Sequence, residues 1–310
     1  MKIGLIDVDG HNFPNLALMK ISTFYKAIGC DVEWYDGISH YDKVLMSKVF
    51  TFTPDFPYPV NATKIIKGGT GYDCETKMPP SWESRVPDYS IYPIGRRREA
   101  NTSYGFITRG CIHKCSWCIV PKKEGAIAFS ADINYILQGR KRAILLDNNI
   151  LASDFGLRQI EKIIGVKCKV DFNQGLDARL VTDDIAKLLS KVKWIKYIRF
   201  ALDTQSQLDP LMSAVEKLNK YGVKNSKLFV YCLIRDLNDS LNRINKVKTL
   251  GMNPFAQPYR DFTPYQIIPQ WQHDMARWCN DKAIMKSCDF KDYIPRKGFK
   301  CDYYFKNETI

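Results

Sequence analysis

Residues 104–256 alternate short apolar, β-branched runs with segments of helical period, and this alternation constrains the fold more than any other feature. Strand-like runs occupy residues 104–108, 142–146, 169–172, 197–202, 227–233 and 253–256. Helical spacing fills residues 131–137, 157–164, 183–189, 210–220 and 240–250 between them. Parallel neighbours cannot be joined by a tight turn and need a crossover, which helices of this length supply. The reading is therefore a succession of βαβ units in an α/β protein. In barrels of parallel strands the reactive groups stand at the C-terminal strand ends. That rule makes Asp147, Asn149, Arg179 and Asp203 the side chains to follow, because each comes just after a strand-like run.

The first 95 residues read as a separate α/β domain. Residues 2–8 form an apolar run fit for a buried parallel strand. Leu16, Met19, Ile21, Phe24 and Ile28 recur at helical spacing until Gly29 stops them. Residues 31–35, 48–53 and 64–68 read as further strands, which makes a small doubly wound sheet. The later connections are too short for full helices, and Pro54, Pro57 and Pro59 hold one of them extended. The expected organisation is an abbreviated doubly wound domain (1–95), a core of strand–helix units (102–262) and an extension (263–310). In the extension, residues 265–287 read as helical and 289–310 as aromatic and polar.

Composition bounds the class. At 45% hydrophobic and 25% charged residues the chain has the make-up of a soluble globular protein. Asp7 and Asp9 fall where a secretory signal would need an apolar run, and no run approaches the ~20 apolar residues of a membrane helix. A cytoplasmic location with no membrane partner is expected, with the ten cysteines reduced. The net charge of +13, with basic clusters at 96–98, 140–142 and 191–199, keeps a nucleic-acid partner open. Many of these lysines also suit solvated faces.

The chemistry concentrates in the loop after the first run of the core, where Cys111, Cys115 and Cys118 form a C-x3-C-x2-C pattern. A zinc site would want a fourth Cys or His at fitting spacing, and His113 lies too tightly between its neighbours to join all three thiols in a tetrahedron. A protein-ligated cubane takes four thiolates. Three within reach of one loop leave one iron open, as catalytic metal centres do.

The spacing of Cys111, Cys115 and Cys118, with Trp117 just before the third cysteine, resembles the signature of the radical S-adenosylmethionine (SAM) enzymes. The resemblance implies a partial (β/α)6 TIM-type barrel and a [4Fe–4S] cluster whose open iron chelates SAM. It also implies reductive cleavage to a 5′-deoxyadenosyl radical and a one-electron donor such as flavodoxin or ferredoxin. It sets Trp117 beside the adenine. Asp147, Asn148 and Asn149 match by position the segment that meets the SAM amino group, although the glycines usual there are missing and the same residues are good turn formers. Arg179 offers a forked partner for the SAM carboxylate, and Asp203 joins the polar ring at the strand ends.

Phe13, Pro14 and Asn15 after the first strand, with Gly68, Gly69, Thr70 and Gly71 after the last, resemble the cobalamin-binding domain that precedes many radical SAM cores. The incomplete connections argue against a bed for the corrinoid, so cobalamin is not expected. The domain is instead expected to shape the substrate site, with Gly68, Gly69, Gly71 and Cys74 turned toward it. Cys279, Cys288 and Cys301 are spaced too widely to suggest a compact auxiliary cluster. The expected activity is hydrogen abstraction from a substrate the sequence does not name. Cobalamin-dependent methyl transfer is the alternative within the family. A nucleic-acid-binding protein with a structural iron–sulfur cluster is the alternative outside it.

Overall fold

The structure, a computed structural model, describes residues 1–10, 13–92, 101–263 and 266–306. The basic cluster at 96–98 lies outside the described residues. The chain runs through β1 (Lys2–Asp7), α1 (Leu16–Ala27), β2 (Asp31–Trp34), β3 (Tyr41–Ser47), β4 (Ala62–Gly68), α2 (Pro80–Glu83) and β5 (Thr102–Gly105). It continues with β6 (Thr108–Arg109), α3 (Val120–Lys123), β7 (Ala128–Phe129), α4 (Ile133–Leu137), β8 (Arg142–Leu145), α5 (Asp154–Val166) and β9 (Lys169–Phe172). Then come α6 (Asp183–Ser190), β10 (Lys193–Trp194), β11 (Ile198–Ala201), α7 (Leu208–Lys220), β12 (Leu228–Ile234), α8 (Leu237–Thr249) and β13 (Asn253–Pro258). The C-terminal helices are α9 (Gln270–Asn280), α10 (Lys282–Ser287) and α11 (Tyr303–Lys306). The mixed strands and helices bear out the α/β class. Contacts divide the chain into two units: 1–106 with 110–144 and 261–266, and 107–109 with 145–260 and 267–310.

The first unit is built on a parallel sheet of order β2-β1-β3-β4. Side chains alternate along a strand. Ile3, Leu5 and Leu45 accordingly face one side, where they pack on Leu18, Ile21 and Tyr25 of α1. Asn15 caps α1 by accepting the Leu18 N–H at 3.2 Å, and Gly29, with φ +77°, follows its end. The opposite face carries Ile6, Val44 and Met46, covered by Phe56, Val60 and Tyr72 rather than by a helix. The domain is abbreviated on that side. The strand read at residues 48–53 is displaced: β3 ends at Ser47, and the next residues turn. Asp9 fixes that turn, its carboxylate accepting the Val49 N–H at 2.5 Å and the Thr53 hydroxyl at 2.6 Å.

In the second unit β11, β12 and β13 form a parallel sheet with Phe200 beside Val230 and Val230 beside Pro254. β10 pairs parallel with β9, and Leu176, just past β9, bridges to Phe200 of β11. Leu211, Leu218, Ile244 and Val247 bring α7 and α8 into the core with Phe200, Val230 and Cys232. Arg243, fully buried, donates to the carbonyls of Leu202 (2.5 Å) and Leu233 (2.8 Å), and so ties the ends of β11 and β12 together. The helical run read at 265–287 breaks in two because Asp281 caps α10 through the N–H groups of Ala283 and Ile284. Tyr265 lies outside the described residues. No helix among the described residues is long and apolar enough to cross a membrane.

Candidate functional site

The three-cysteine loop belongs to the first unit. Gly110 opens it with φ +80°, and a Cβ there would meet the Ala126 carbonyl oxygen at 2.2 Å, so only glycine lets the two strands of the loop approach. The Gly110 N–H donates to the Glu124 carboxylate at 2.9 Å, and the Cys111 N–H to the Gly125 carbonyl at 3.2 Å. Within the loop the Cys118 N–H closes a turn onto the Cys115 carbonyl at 3.0 Å. The His113 backbone N–H points at the Cys111 sulfur, 3.4 Å away. All three cysteines stand outside any disulfide and are partly exposed. Among the described residues no three His, Cys, Asp or Glu side chains are placed to hold a single metal ion. A cubane asks for something different, since each thiolate binds its own iron and the sulfurs need not converge on one point.

The loop runs into α3, whose lysines reach the glycine turn of the same unit. Lys123 donates to the Thr70 hydroxyl, and Lys122 pairs with Glu75 at 3.3 Å. Hydrogen bonds from Lys122 to Glu75 and then to Cys74 raise the Lys122 pKa. Thr70 and Cys74 are thus drawn to the helix that follows the cysteines. The glycines themselves approach the chain's own backbone. A Cβ on Gly69, at φ +98°, would lie 2.3 Å from the Lys48 carbonyl oxygen. One on Gly71 would lie 2.7 Å from that of Phe50, and the Gly68 carbonyl accepts the Lys48 N–H at 3.0 Å.

The strand-end residues belong to the second unit. Asp147 is buried, and its carboxylate accepts the Thr108 N–H at 2.5 Å, the Thr108 hydroxyl at 2.8 Å and the Ile107 N–H at 3.3 Å. Burial pushes its pKa up to about 6 against the pull of those donors. Asp147 therefore holds residues 107–109. Asn149 and Arg179 are brought together by Asp177, a residue the strand-end rule did not single out. Asp177 takes both forks of Arg179, at 2.7 Å and 3.0 Å, and the Asn149 amide at 3.2 Å. Asp203 is fixed through its backbone, its N–H donating to the Gln207 side chain at 2.6 Å.

Arg199, the last residue of the basic cluster at 191–199, pairs inward. It forks onto Asp171 at 2.6 Å and 2.7 Å and donates to the Tyr231 hydroxyl at 2.9 Å. Burial by itself would lower the guanidinium pKa, but Asp171 and Tyr231 outweigh it and raise it. Tyr231 in turn donates to the Asn173 carbonyl at 2.9 Å. No sequence signal marks this network, because Asp171 shares β9 with Lys169 and its partner Arg199 lies 28 residues along the chain.

No protein-family model matches the sequence, and no curated protein matches it. Among solved structures the chain is similar to Streptococcus suis SuiB bound to S-adenosylmethionine, at 10% identity and a TM-score of 0.42. The likeness covers 60% of this chain and 45% of that one, so the chain spans less than half of SuiB. It is too low to carry function across.

Proposed function

We propose that this chain is a radical SAM enzyme that binds a [4Fe–4S] cluster through Cys111, Cys115 and Cys118 and leaves one iron for SAM. The three-cysteine loop carries the reading. Its donor set fits the group: three soft thiols in one loop, the first already accepting a backbone N–H, on a turn that Gly110 and Glu124 fix from behind. When bound, the cluster supplies the single electron that splits SAM into methionine and a 5′-deoxyadenosyl radical. The protein's share is to hold, orient and shield. Trp117, next to Cys118, would stand beside the adenine. Arg179, whose Nε and one Nη are engaged by Asp177, would turn its remaining guanidinium donors to the SAM carboxylate, with Asn149 and Asp203 on the same set of strand ends. Asp147 acts one step back, fixing the strand that leads into the cysteines. A partial (β/α)6 barrel is supported by the parallel order β11-β12-β13 and by the bridge from Leu176 to Phe200. A small flavodoxin- or ferredoxin-like protein delivers the electron. The test is anaerobic reconstitution with iron and sulfide, then dithionite and SAM. The expected result is 5′-deoxyadenosine and methionine in equal amounts. Intact SAM, beside a fully loaded cluster, counts against the reading.

A further inference from the structure

We propose that a cavity of about 600 Å³ at the carboxyl end of β5, within the first unit, is a binding site for an uncharged aromatic small molecule. Its volume falls inside the ~300–1,000 Å³ of drug-sized ligand sites. Tyr104 and Phe106 at the end of β5, with Phe129 of β7 and Tyr135 of α4, bring four aromatic side chains to its lining. Between the first two, Gly105 leaves a flat stretch of wall. A Cβ there would meet Ile136 of α4 at 2.9 Å, so the close packing of α4 on β5 requires the glycine. Phe129 and Tyr135 remain 59% and 45% exposed. Large aromatic rings gain by burial, and a ligand in the cavity would cover part of both.

The walls are fixed before anything binds, which spares a ligand the cost of ordering them. The Tyr135 hydroxyl donates to the Ser84 carbonyl at 2.7 Å and ties α4 to the residue after α2. Lys20 of α1 donates to the Glu83 carbonyl and carboxylate, each at 2.7 Å, and ties α1 to α2. Tyr104 meets Phe13 edge-on at 5.2 Å, and its N–H donates to the Tyr89 hydroxyl at 2.8 Å. The same bonds select the occupant. Lys20 and Glu83 answer each other, and Asp132 caps α4 by accepting the Asn134 N–H at 2.9 Å. An anion would face Glu83 and Asp132. A cation would compete with Lys20 for Glu83 and with the helix cap for Asp132. Either would give up its hydration for little in return, and an uncharged ligand escapes that cost. The aromatic lining favours a flat ring, which can pair with it edge-to-face or offset. The Tyr135 oxygen, while donating to Ser84, can accept one N–H or O–H from that ring. This inference goes beyond the enzymatic reading and does not depend on the cluster.

Isothermal titration calorimetry of the full chain with indole tests it, with tryptamine and indole-3-acetate as the cation and the anion built on the same ring. Indole should bind saturably, one per chain, and at least about ten-fold more tightly than either ion. Phe129→Ala/Tyr135→Ala should weaken indole at least about ten-fold. Tyr135→Phe keeps the ring and loses the hydroxyl, so its affinity should fall between the two. Both rings are exposed, so the alanine variant should melt with the parent. If it does not, Ala131→Trp, which fills the cavity rather than stripping its walls, takes its place and should abolish binding. The inference is overturned by an absence of saturable indole binding, or by an ion that binds as tightly as indole. An alanine or tryptophan variant within about two-fold of the parent overturns it as well.

Discussion

Asp147 shows how a single buried carboxylate fixes a neighbouring stretch of backbone. It accepts three hydrogen bonds from Ile107 and Thr108, just before the chain reaches Gly110. Its folded pKa of about 6 stands above the 3.8 of an ordinary aspartate. A raised acid favours the folded state while protonated, so its contribution is present below pH ~4 and is lost as pH rises through 6. That difference amounts to about 3 kcal/mol. Denaturant unfolding of Asp147→Asn and of the parent should therefore converge in the variant's favour by about this amount between pH 4 and 7. Curves that stay parallel across that range contradict the assignment. At Arg179 the expectation concerns the ligand. Lysine cannot keep the forked pair with Asp177 and also present a planar donor. Arg179→Lys should weaken SAM binding by about 1–3 kcal/mol in anaerobic titration, and an unchanged dissociation constant would remove Arg179 from the site.

At the scale of elements, the glycine turn serves the fold first. Gly69→Ala must place a Cβ 2.3 Å from the Lys48 carbonyl oxygen in a left-handed conformation. It should cost at least about 2 kcal/mol in thermal or denaturant unfolding, and a neutral result would mean the turn can shift. The cavity at the carboxyl ends of β1 and β2, lined by Asp7, Trp34, Tyr35 and Phe56, measures about 410 Å³. That is low in the ~300–1,000 Å³ range of drug-sized ligands, and a corrinoid is far larger. Incubation with hydroxocobalamin, desalting and a visible spectrum should leave no corrinoid band. A stoichiometric band would move methyl transfer to first place.

The same elements show what the sequence could and could not say. β1 and β12 were legible because apolar runs between turn residues leave few alternatives. β3 was missed because Asp42 and Lys43 break its apolar pattern early. The neighbouring Val49, Phe50, Thr51 and Phe52 mimic a strand's alternation while Asp9 bends them away. Three cysteines in eight residues make a candidate soft-metal loop legible in the sequence alone. Asp177 and Asp171 do not announce themselves, because their partners Asn149 and Arg199 lie 28 residues away along the chain.

For the whole molecule, the first unit holds the cysteine loop and the glycine turn, joined through Lys122 and Lys123. The second holds the strand-end cluster of Asn149, Asp177 and Arg179 and the buried network around Arg199. The central claim is that Cys111, Cys115 and Cys118 together carry a SAM-cleaving cluster. Its most direct test is the anaerobically reconstituted chain beside its Cys111→Ala/Cys115→Ala/Cys118→Ala variant, each assayed for iron and for 5′-deoxyadenosine. The parent should hold about four irons and release 5′-deoxyadenosine on reduction with SAM, while the variant should lose both together. A variant that keeps about four irons per chain, or still cleaves SAM, would contradict the account.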